Sequence, residues 1–327
     1  MTTPIADFVA RYARAGVSRL HMPGHKGQPF LGCEALDITE IAGADELYEA
    51  EGIIAESEAN AARLFGAGRT FYSTEGSSQC VRAMLFLALQ MAPQQEGRPV
   101  LLAARNAHKA LLYAAALLDL DIRWLWPAAG QGESLCSCPV TAEGLRGALA
   151  ELAQEGRRPF GVYVTSPDYL GGMQDLPALA SVCREAGTPL LVDNAHGAYL
   201  PFLPGGSLHP MALGASLCCD SGHKTLPVLT GGAYLHLAPG LPLTDETVRG
   251  ALCLFGSTSP SYLILQSLDL CNRYISEGCP ERLAGCVRRL EELRTELNEA
   301  GRRQGCPLPP VRPSEPLKLV LDGKAFG

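Results

Sequence analysis

Residues 220–227 read DSGHKTLP and place one lysine, Lys224, between two apolar runs. The runs, Ala215 to Cys219 and Gly231 to Leu237, have the length of strands. A lysine among Leu, Val, Gly and Pro has little use as a solubilising charge, whereas a desolvated amine loses affinity for its proton and becomes a nucleophile. The stretch predicts an amine held at a strand end for covalent chemistry, with an ordinary solvated lysine as the alternative.

A second stretch upstream supplies a partner for this lysine. Residues 189–193, PLLVD, have the pattern of a short buried strand that ends in the carboxylate Asp193, and NAHG follows. Pyridoxal phosphate chemistry needs a lysine for the Schiff base and a carboxylate that keeps the pyridine nitrogen protonated. About thirty residues separate Asp193 from Lys224, enough for one helix and one strand, so both can reach the same carboxyl edge of a parallel sheet and face one ring.

A predicted strand at Arg69 to Ser73 leads through Gly76-Ser77-Ser78 into a helix over Gln79 to Gln90. A glycine turn with two hydroxyls at a helix start forms a phosphate cradle, because free N–H groups and the helix dipole point at the anion. The simpler interpretation is that Ser77 only caps the helix, and both roles use the same geometry.

Apolar runs separated by helical stretches predict an α/β fold with a mainly parallel, seven-stranded sheet and helices on both faces. The helical stretches include His108 to Leu118 and Ala142 to Gln154, the latter capped by Thr141. Besides the strand near Arg69, the predicted strands are Val100 to Ala104, Ile122 to Trp126, Phe160 to Thr165, Leu190 to Asp193, Ala215 to Cys219 and Ala233 to Leu237.

Five ordered motifs connect the chain to a known family. They are HMPGHKG (21–27), DITE (37–40), RNAHK (105–109), VDNAHG (192–197) and SGHKT (221–225). In these motifs the chain resembles the Orn/Lys/Arg decarboxylase family of fold-type I pyridoxal phosphate enzymes. The resemblance implies a transferase-like, cofactor-binding large domain at 51–278. It also implies an N-terminal segment at 1–50 near the active site and dimer contact, and at 279–327 a linker helix with the start of an incomplete C-terminal small domain.

The resemblance also implies roles for individual residues. Lys224, Asp193, His108 and His196 are the implied catalytic residues, with His108 stacked on the pyridine ring and His196 supporting the ring's O3′ side or Asp193. Ser221 and His223 resemble residues that hold the cofactor phosphate, and a Gly-Thr-Ser type sequence of the family maps onto Gly76, Ser77 and Ser78. Ser257 and Thr258 are the candidates that reach the phosphate of the other subunit. The implied cofactor set is Gly76, Ser77, Ser78, His108, Asp193, His196, Ser221, His223, Lys224, Ser257 and Thr258.

The family favours arginine, lysine or ornithine as substrates. A cationic tail needs a carboxylate, for which Asp45, Glu46 and Glu49 are candidates, although a solvated acidic helix start explains them more simply. Asn194 stands where the family more usually has an acidic residue. Of the N-terminal polar residues, His21, His25 and Lys26 fit a turn and a substrate contact equally well.

The resulting prediction is decarboxylation of a basic amino acid to the amine and CO2. Other fold-type I chemistry, such as aminotransfer or aldol cleavage, is one alternative, since the cofactor does the hard chemistry. A truncated, non-catalytic homologue is the other, because family members continue well beyond Gly327, where the chain has only begun a strand at Leu317 to Leu321.

Composition limits the remaining function classes. The chain has 327 residues, 47% hydrophobic and 19% charged, and a net charge of −7, which argues against a nucleic-acid surface. The first ten residues lack a basic head and no apolar run is long enough to span a bilayer, so we expect a cytoplasmic protein. The 12 cysteines lack paired zinc-site spacing, and we expect no metal. The expected partners are a small amino acid and further copies of the chain, as a homodimer or larger homo-oligomer.

Overall fold

Helices and strands alternate along the chain in the computed structural model, which describes residues 1–127, 134–303, 305 and 315–320. The strands are β1 (Arg69–Ser73), β2 (Val100–Ala104), β3 (Asp121–Leu125), β4 (Pro159–Thr165), β5 (Leu190–Asp193), β6 (Leu217–Asp220) and β7 (Ala233–Leu237). The helices are α1 (Pro4–Arg14), α2 (Ile53–Phe65), α3 (Ser77–Met91), α4 (Lys109–Leu117), α5 (Ala142–Gln154), α6 (Leu176–Glu185), α7 (Gly222–Thr225), α8 (Asp245–Leu254), α9 (Tyr262–Ser276) and α10 (Cys279–Arg303).

The seven strands form one sheet in the order β1-β7-β6-β5-β4-β2-β3. All neighbours from β6 to β3 pair in parallel, whereas β7 is antiparallel to both β1 and β6. The prediction of a mainly parallel, seven-stranded sheet is therefore confirmed. The parallel strands read as continuous apolar runs because helices cover both faces of the sheet.

Two hydrophobic clusters fill the space between the sheet and its helices. Successive side chains of a strand point to opposite faces, so Leu101 of β2 and Leu191 of β5 join one cluster with α3, α4 and α8. Leu102 and Val192, one residue on, join a second cluster with α5 and α6. A third cluster unites α1, α2 and α9, and this is how the N-terminal helix obtains a core that its own section lacks.

A buried ion pair connects α2 to α8. The Nη2 atom of Arg249 donates to Glu58 Oε2 at 2.6 Å, and the N–H of Tyr72 donates to Glu58 Oε1 at 2.8 Å. Burial raises the pKa of Glu58 to about 7, against the opposing effect of Arg249. The pair thus fixes the first strand and two helices to one another within the core.

The structure corrects two details of the predicted connections. The residues between Asp193 and Lys224 have room for one helix and one strand; the strand is β6, but the regular structure between β5 and β6 is one 3-10 turn at Leu200–Phe202, because the Gly- and Pro-rich sequence that follows cannot sustain helical hydrogen bonding. A strand is also predicted from Leu317, but the described part, 317–320, ends a turn and then has no regular secondary structure; Leu321 lies outside the described residues. Within the described ranges, no helix is both long and apolar enough to cross a membrane.

Candidate active site

The predicted site residues collect along one edge of the sheet. Because β1 and β6 are both antiparallel to β7, β1 runs in the same direction as β6 and the other parallel strands, and all of them end at this edge. Ligands of α/β folds bind outside such carboxyl ends. The residues at or just beyond these strand ends are Gly76, Ser77 and Ser78 after β1, His108 after β2, Asp193 at the end of β5 with His196 after it, and Ser221, His223 and Lys224 after β6.

Lys224 lies in the short helix α7, directly after β6. Its Nζ atom is 3.4 Å from Nε2 of His196, so the amine lies beside the residue that follows the neighbouring strand. The Lys224 side chain is exposed, whereas Leu226 is buried. The prediction of a desolvated amine is therefore wrong for this structure. Leu226 packs into the core, whereas Pro227 and Leu229 are exposed, like the lysine, at the open edge.

His196 is surrounded by positive charge. Partial burial is the main cause that lowers its pKa, to about 4, and the charges of Lys224, Lys318 and His108 lower it further. The ring of Tyr169 contacts the imidazole edge-on, with 5.6 Å between the ring centroids. At neutral pH His196 is therefore an uncharged imidazole that can accept a hydrogen bond.

The Asp193 carboxylate is buried at the end of β5 and held by several donors. The Tyr163 hydroxyl donates to Oδ2 at 2.9 Å, and the N–H of Ala195 donates to Oδ1 at 3.1 Å. Burial raises the pKa of Tyr163 well above its usual value, and Asp193 adds to this effect. Tyr163 therefore remains a hydroxyl donor and fixes the carboxylate. We did not predict this residue, although a tyrosine inside an otherwise apolar strand was a usable signal.

A fully buried polar network lies next to this carboxylate. Asn194 Nδ2 donates to Asp220 Oδ1 at 2.6 Å, which connects the residues after β5 to the end of β6. Nε2 of His209 and Nε2 of His236 both lie within hydrogen-bonding distance of Asp220 Oδ2, at 2.9 and 3.3 Å. These two imidazoles hold the pKa of Asp220 well below its usual value against the cost of burial. The sequence alone did not predict this network. The hydrogen bond to Asp220 gives the buried Asn194 a structural role.

The glycine turn for which we predict phosphate binding lies at the start of α3. Gly76 is the N-cap residue with φ +74° and ψ 175°, a conformation that is essentially restricted to glycine. The Ser221 hydroxyl donates to the Ser77 hydroxyl at 2.8 Å, so the turns after β1 and β6 meet here. The first-turn N–H groups of a helix have no intrahelical partner. Ser77 and Ser78 thus present hydroxyls and N–H groups together.

Two of the predicted histidines have backbone contacts. Nδ1 of His108 accepts the Ala110 N–H at 3.2 Å, so His108 caps α4. Nδ1 of His223 is 3.1 Å from the Gly232 carbonyl oxygen, which places the proton on Nδ1 and leaves Nε2 as the acceptor. Both rings keep their place at the site edge, while the stacking of His108 on a ligand stays a prediction.

Ser257 lies close to the phosphate cradle of its own chain. Its N–H donates to Glu75 Oε1 at 2.8 Å, and its hydroxyl accepts the Ser259 N–H at 3.1 Å. Glu75 immediately precedes Gly76. The predicted contacts of Ser257 and Thr258 with the phosphate of another subunit stay a prediction.

The polar residues of the N-terminal segment contact one another. Nε2 of His21 is 2.6 Å from the Tyr12 hydroxyl, Lys26 Nζ donates to the His21 carbonyl at 2.6 Å, and His25 Nε2 is 3.2 Å from Asp37 Oδ2. These contacts favour the turn over a substrate contact.

The Asp45 carboxylate is also held by contacts within its own segment and the start of α2. Its carboxylate accepts four backbone N–H groups, those of Glu46, Glu51, Gly52 and Ile54. Asp45 is therefore a cap of α2, as the simpler interpretation held.

Comparisons with known proteins agree with this geometry. The sequence model of a family described as "Orn/Lys/Arg decarboxylase, major domain" matches residues 3–315. The chain is 28% identical over 335 residues to the uncharacterized protein YaaO of Bacillus subtilis, covering 99% of this chain and 68% of YaaO. It is 27% identical over 306 residues to the arginine decarboxylase of Halalkalibacterium halodurans, covering 90% of this chain and 60% of that protein.

A solved structure, the constitutive lysine decarboxylase of E. coli, superposes with a TM-score of 0.72 at 21% identity. The match covers 92% of this chain and 45% of that one. The chain therefore spans less than half the length of this enzyme and about three fifths of the arginine decarboxylase.

Proposed function

The chain belongs to the Orn/Lys/Arg decarboxylase family, and we propose that it uses pyridoxal 5′-phosphate to decarboxylate a basic amino acid. One observation carries the proposal. Lys224 Nζ lies 3.4 Å from His196 Nε2, and His196 follows Asp193, a buried carboxylate at the end of the adjacent strand. An amine and a fixed carboxylate at one sheet edge are the two groups that this cofactor requires.

The chemistry of the donor set fits the cofactor. Its phosphate dianion matches the start of α3. There Gly76 adopts a positive φ, and the hydroxyls of Ser77 and Ser221 lie together. Its pyridinium nitrogen matches the Asp193 carboxylate, which Tyr163 orients. Its aldehyde carbon matches the Lys224 amine.

Each protein group has a definable task. When bound, pyridoxal phosphate supplies an electron sink conjugated to the substrate Cα. Asp193 would keep the ring nitrogen protonated, and Tyr163 holds that carboxylate in position. Lys224 Nζ can carry a proton towards Cα, and the uncharged His196 beside it can accept a hydrogen bond from that amine and so orient it.

The substrate class follows from the family and from the relatives. Two kinds of relative are named arginine decarboxylase and lysine decarboxylase, and both of those substrates have a cationic tail. Of the candidate carboxylates, Asp45 is used by α2, while Glu46 and Glu49 remain exposed. Burial, Glu49 and other nearby carboxylates raise the pKa of Glu46, so this acidic group is stabilised by an incoming cation.

We further propose that the protein acts as a homodimer with shared sites. The N-terminal segment exposes Leu20, Phe30 and Leu31, at 93%, 89% and 80% of their accessible surface. Large apolar side chains exposed to this extent within one segment are typical of a surface covered by another chain. In such a dimer, the family resemblance assigns Ser257 and Thr258 a contact with the phosphate of the partner.

Product analysis tests the proposed reaction. The purified protein, loaded with pyridoxal phosphate, is incubated with arginine, lysine or ornithine, and CO2 and the amine are measured together. We expect equimolar release of both, abolished in Lys224→Ala. A keto acid would instead identify an aminotransferase, and no product from any of the three would support a non-catalytic homologue.

A further inference from the structure

The segment Glu315 to Lys318 returns from α10 to the active-site edge. It lies on the loop Asp168–Gly172, which follows β4. The Glu315 N–H donates to the Gly171 carbonyl at 2.8 Å, and Lys318 Nζ donates to the Asp168 carbonyl at 3.0 Å. Arg294 of α10 donates to the Pro316 carbonyl at 2.9 Å. The segment is therefore anchored from both sides.

The close approach depends on Gly171. Its φ of +88° favours glycine. A Cβ there would lie 3.3 Å from Lys318 Cδ and 3.4 Å from Glu315 Cγ. The loop thus provides a surface without a side chain, against which the Lys318 stem lies.

This loop also borders the reacting groups. Tyr169 contacts the His196 ring edge-on at 5.6 Å between centroids, and His196 Nε2 is 3.4 Å from Lys224 Nζ. The charge of Lys318 is close enough to contribute to the lowered pKa of His196. Burial is the main cause that lowers the pKa of Lys318, Lys224 lowers it further, and Glu315 and Asp168 oppose the shift. Lys318 therefore adds a second ammonium group to the site.

We infer that Lys318 binds the α-carboxylate of the amino-acid substrate. The inference rests on the proposed function, since the carboxylate is the only anionic group of a basic amino acid. Of the neighbouring basic groups, Lys224 holds the cofactor, His196 is uncharged at neutral pH, and His108 caps α4 through Nδ1. An ammonium group has three donors, and the Asp168 carbonyl uses one of those on Lys318. The other two can form charge-assisted hydrogen bonds to a carboxylate.

The experiment compares a ligand that has the carboxylate with one that lacks it. In a Lys224→Ala background, which cannot turn over, calorimetry measures binding of the basic amino acid and of the corresponding decarboxylated amine to the cofactor-loaded protein. The second substitution is Lys318→Met, which keeps the alkyl stem, with Lys318→Arg as the conservative variant. Arg302→Ala, an exposed cation of α10, is the matched control.

We expect Lys318→Met to weaken amino-acid binding at least tenfold and amine binding less than twofold. Lys318→Arg should restore most of the difference, and Arg302→Ala should change neither ligand. Equal losses for both ligands, or no loss for the amino acid, would overturn the inference while leaving the cofactor site intact. If the Lys224→Ala protein with native Lys318 took up cofactor but bound neither ligand, the role of Lys318 in carboxylate binding would be refuted; if the wild-type protein bound no cofactor, the proposed function itself would fail.

Discussion

Tyr163 is the single residue whose loss should weaken the site most selectively. Its hydroxyl donates to Asp193 Oδ2 at 2.9 Å from a fully buried position. A hydrogen bond to a charged group contributes about 1.5–3 kcal/mol, so we expect Tyr163→Phe to lower kcat/KM roughly tenfold or more. The control is Tyr199→Phe, because the buried Tyr199 hydroxyl has no hydrogen-bond partner among the described residues. Initial-rate kinetics on both variants measure the effect, and equal rates would contradict the role given to Tyr163.

His196 should remain uncharged well into the acid range. Its pKa of about 4 in the folded protein lies below the ordinary value of 6.5. Between these values the unfolded chain binds the proton and the folded chain does not, so this contribution to stability is present above pH 6.5 and is lost as the pH falls towards 4. Histidine NMR titration should show no His196 transition between pH 5.5 and 8. Lys318→Met removes a positive charge and should therefore raise the pKa of His196. An unchanged pKa of His196 would show that the charge of Lys318 does not act on this imidazole.

Residues that end a strand were predictable, and residues that approach from elsewhere were not. Asp193 and Lys224 follow apolar runs, and the carboxyl ends of parallel strands must meet. Tyr163 bonds Asp193 only because β4 pairs with β5 in the register that aligns Thr165 with Asp193. Lys318 reaches the site through the fold-back of the segment after α10. Neither the strand register nor the return of this segment to the site can be predicted from local sequence.

The turn from β1 into α3 should bind phosphate through its backbone. Gly76→Ala forces a side chain into φ +74°, ψ 175°, at a cost of about 1–3 kcal/mol. Because relief of this strain moves the cradle, we expect cofactor affinity to fall at least tenfold, measured by fluorescence titration. Gly66→Ala is the control, since Gly66 also has positive φ but ends α2 away from the site. It should lower stability without changing cofactor affinity; equal affinity in both variants would argue against the cradle.

Element boundaries followed the sequence where local signals were strong. The helix Ala142–Gln154 begins at the predicted cap, whose Thr141 hydroxyl accepts the Gly144 N–H. The predicted strand from Leu317 failed because β-branched and apolar composition indicates a strand only where a pairing edge is available. In the structure this stretch lies on a loop and on α10 instead.

Global stability should depend on the ion pair between α2 and α8. Arg249→Met leaves the buried Glu58 carboxylate without its cation, and breaking a buried pair in this way costs about 3–5 kcal/mol. Arg146→Met removes the cation of an exposed pair with Glu185, which should cost less than about 1 kcal/mol. Urea denaturation measures both changes. Similar losses of unfolding free energy in the two variants would show that the buried pair stabilises the protein no more than the exposed pair does.

The size of the assembly tests the role of the exposed N-terminal surface. If a second copy covers Leu20, Phe30 and Leu31, light scattering should give at least twice the chain mass. Phe30→Ser should shift the protein towards the monomer, whereas Leu135→Ser, at another exposed leucine, should not. A wild-type monomer at micromolar concentration would contradict the proposed dimer.

The cofactor absorption spectrum is the most direct test of the central claim that Lys224 holds pyridoxal phosphate opposite Asp193. Purified protein and the Lys224→Ala variant are each mixed with the cofactor and dialysed, and visible spectra are recorded before and after borohydride. We predict a visible band in the wild-type protein that survives dialysis and is removed by reduction, with the label attached to Lys224 in mass spectrometry. A well-folded wild-type protein without such a band, or a label on another lysine, would contradict the account.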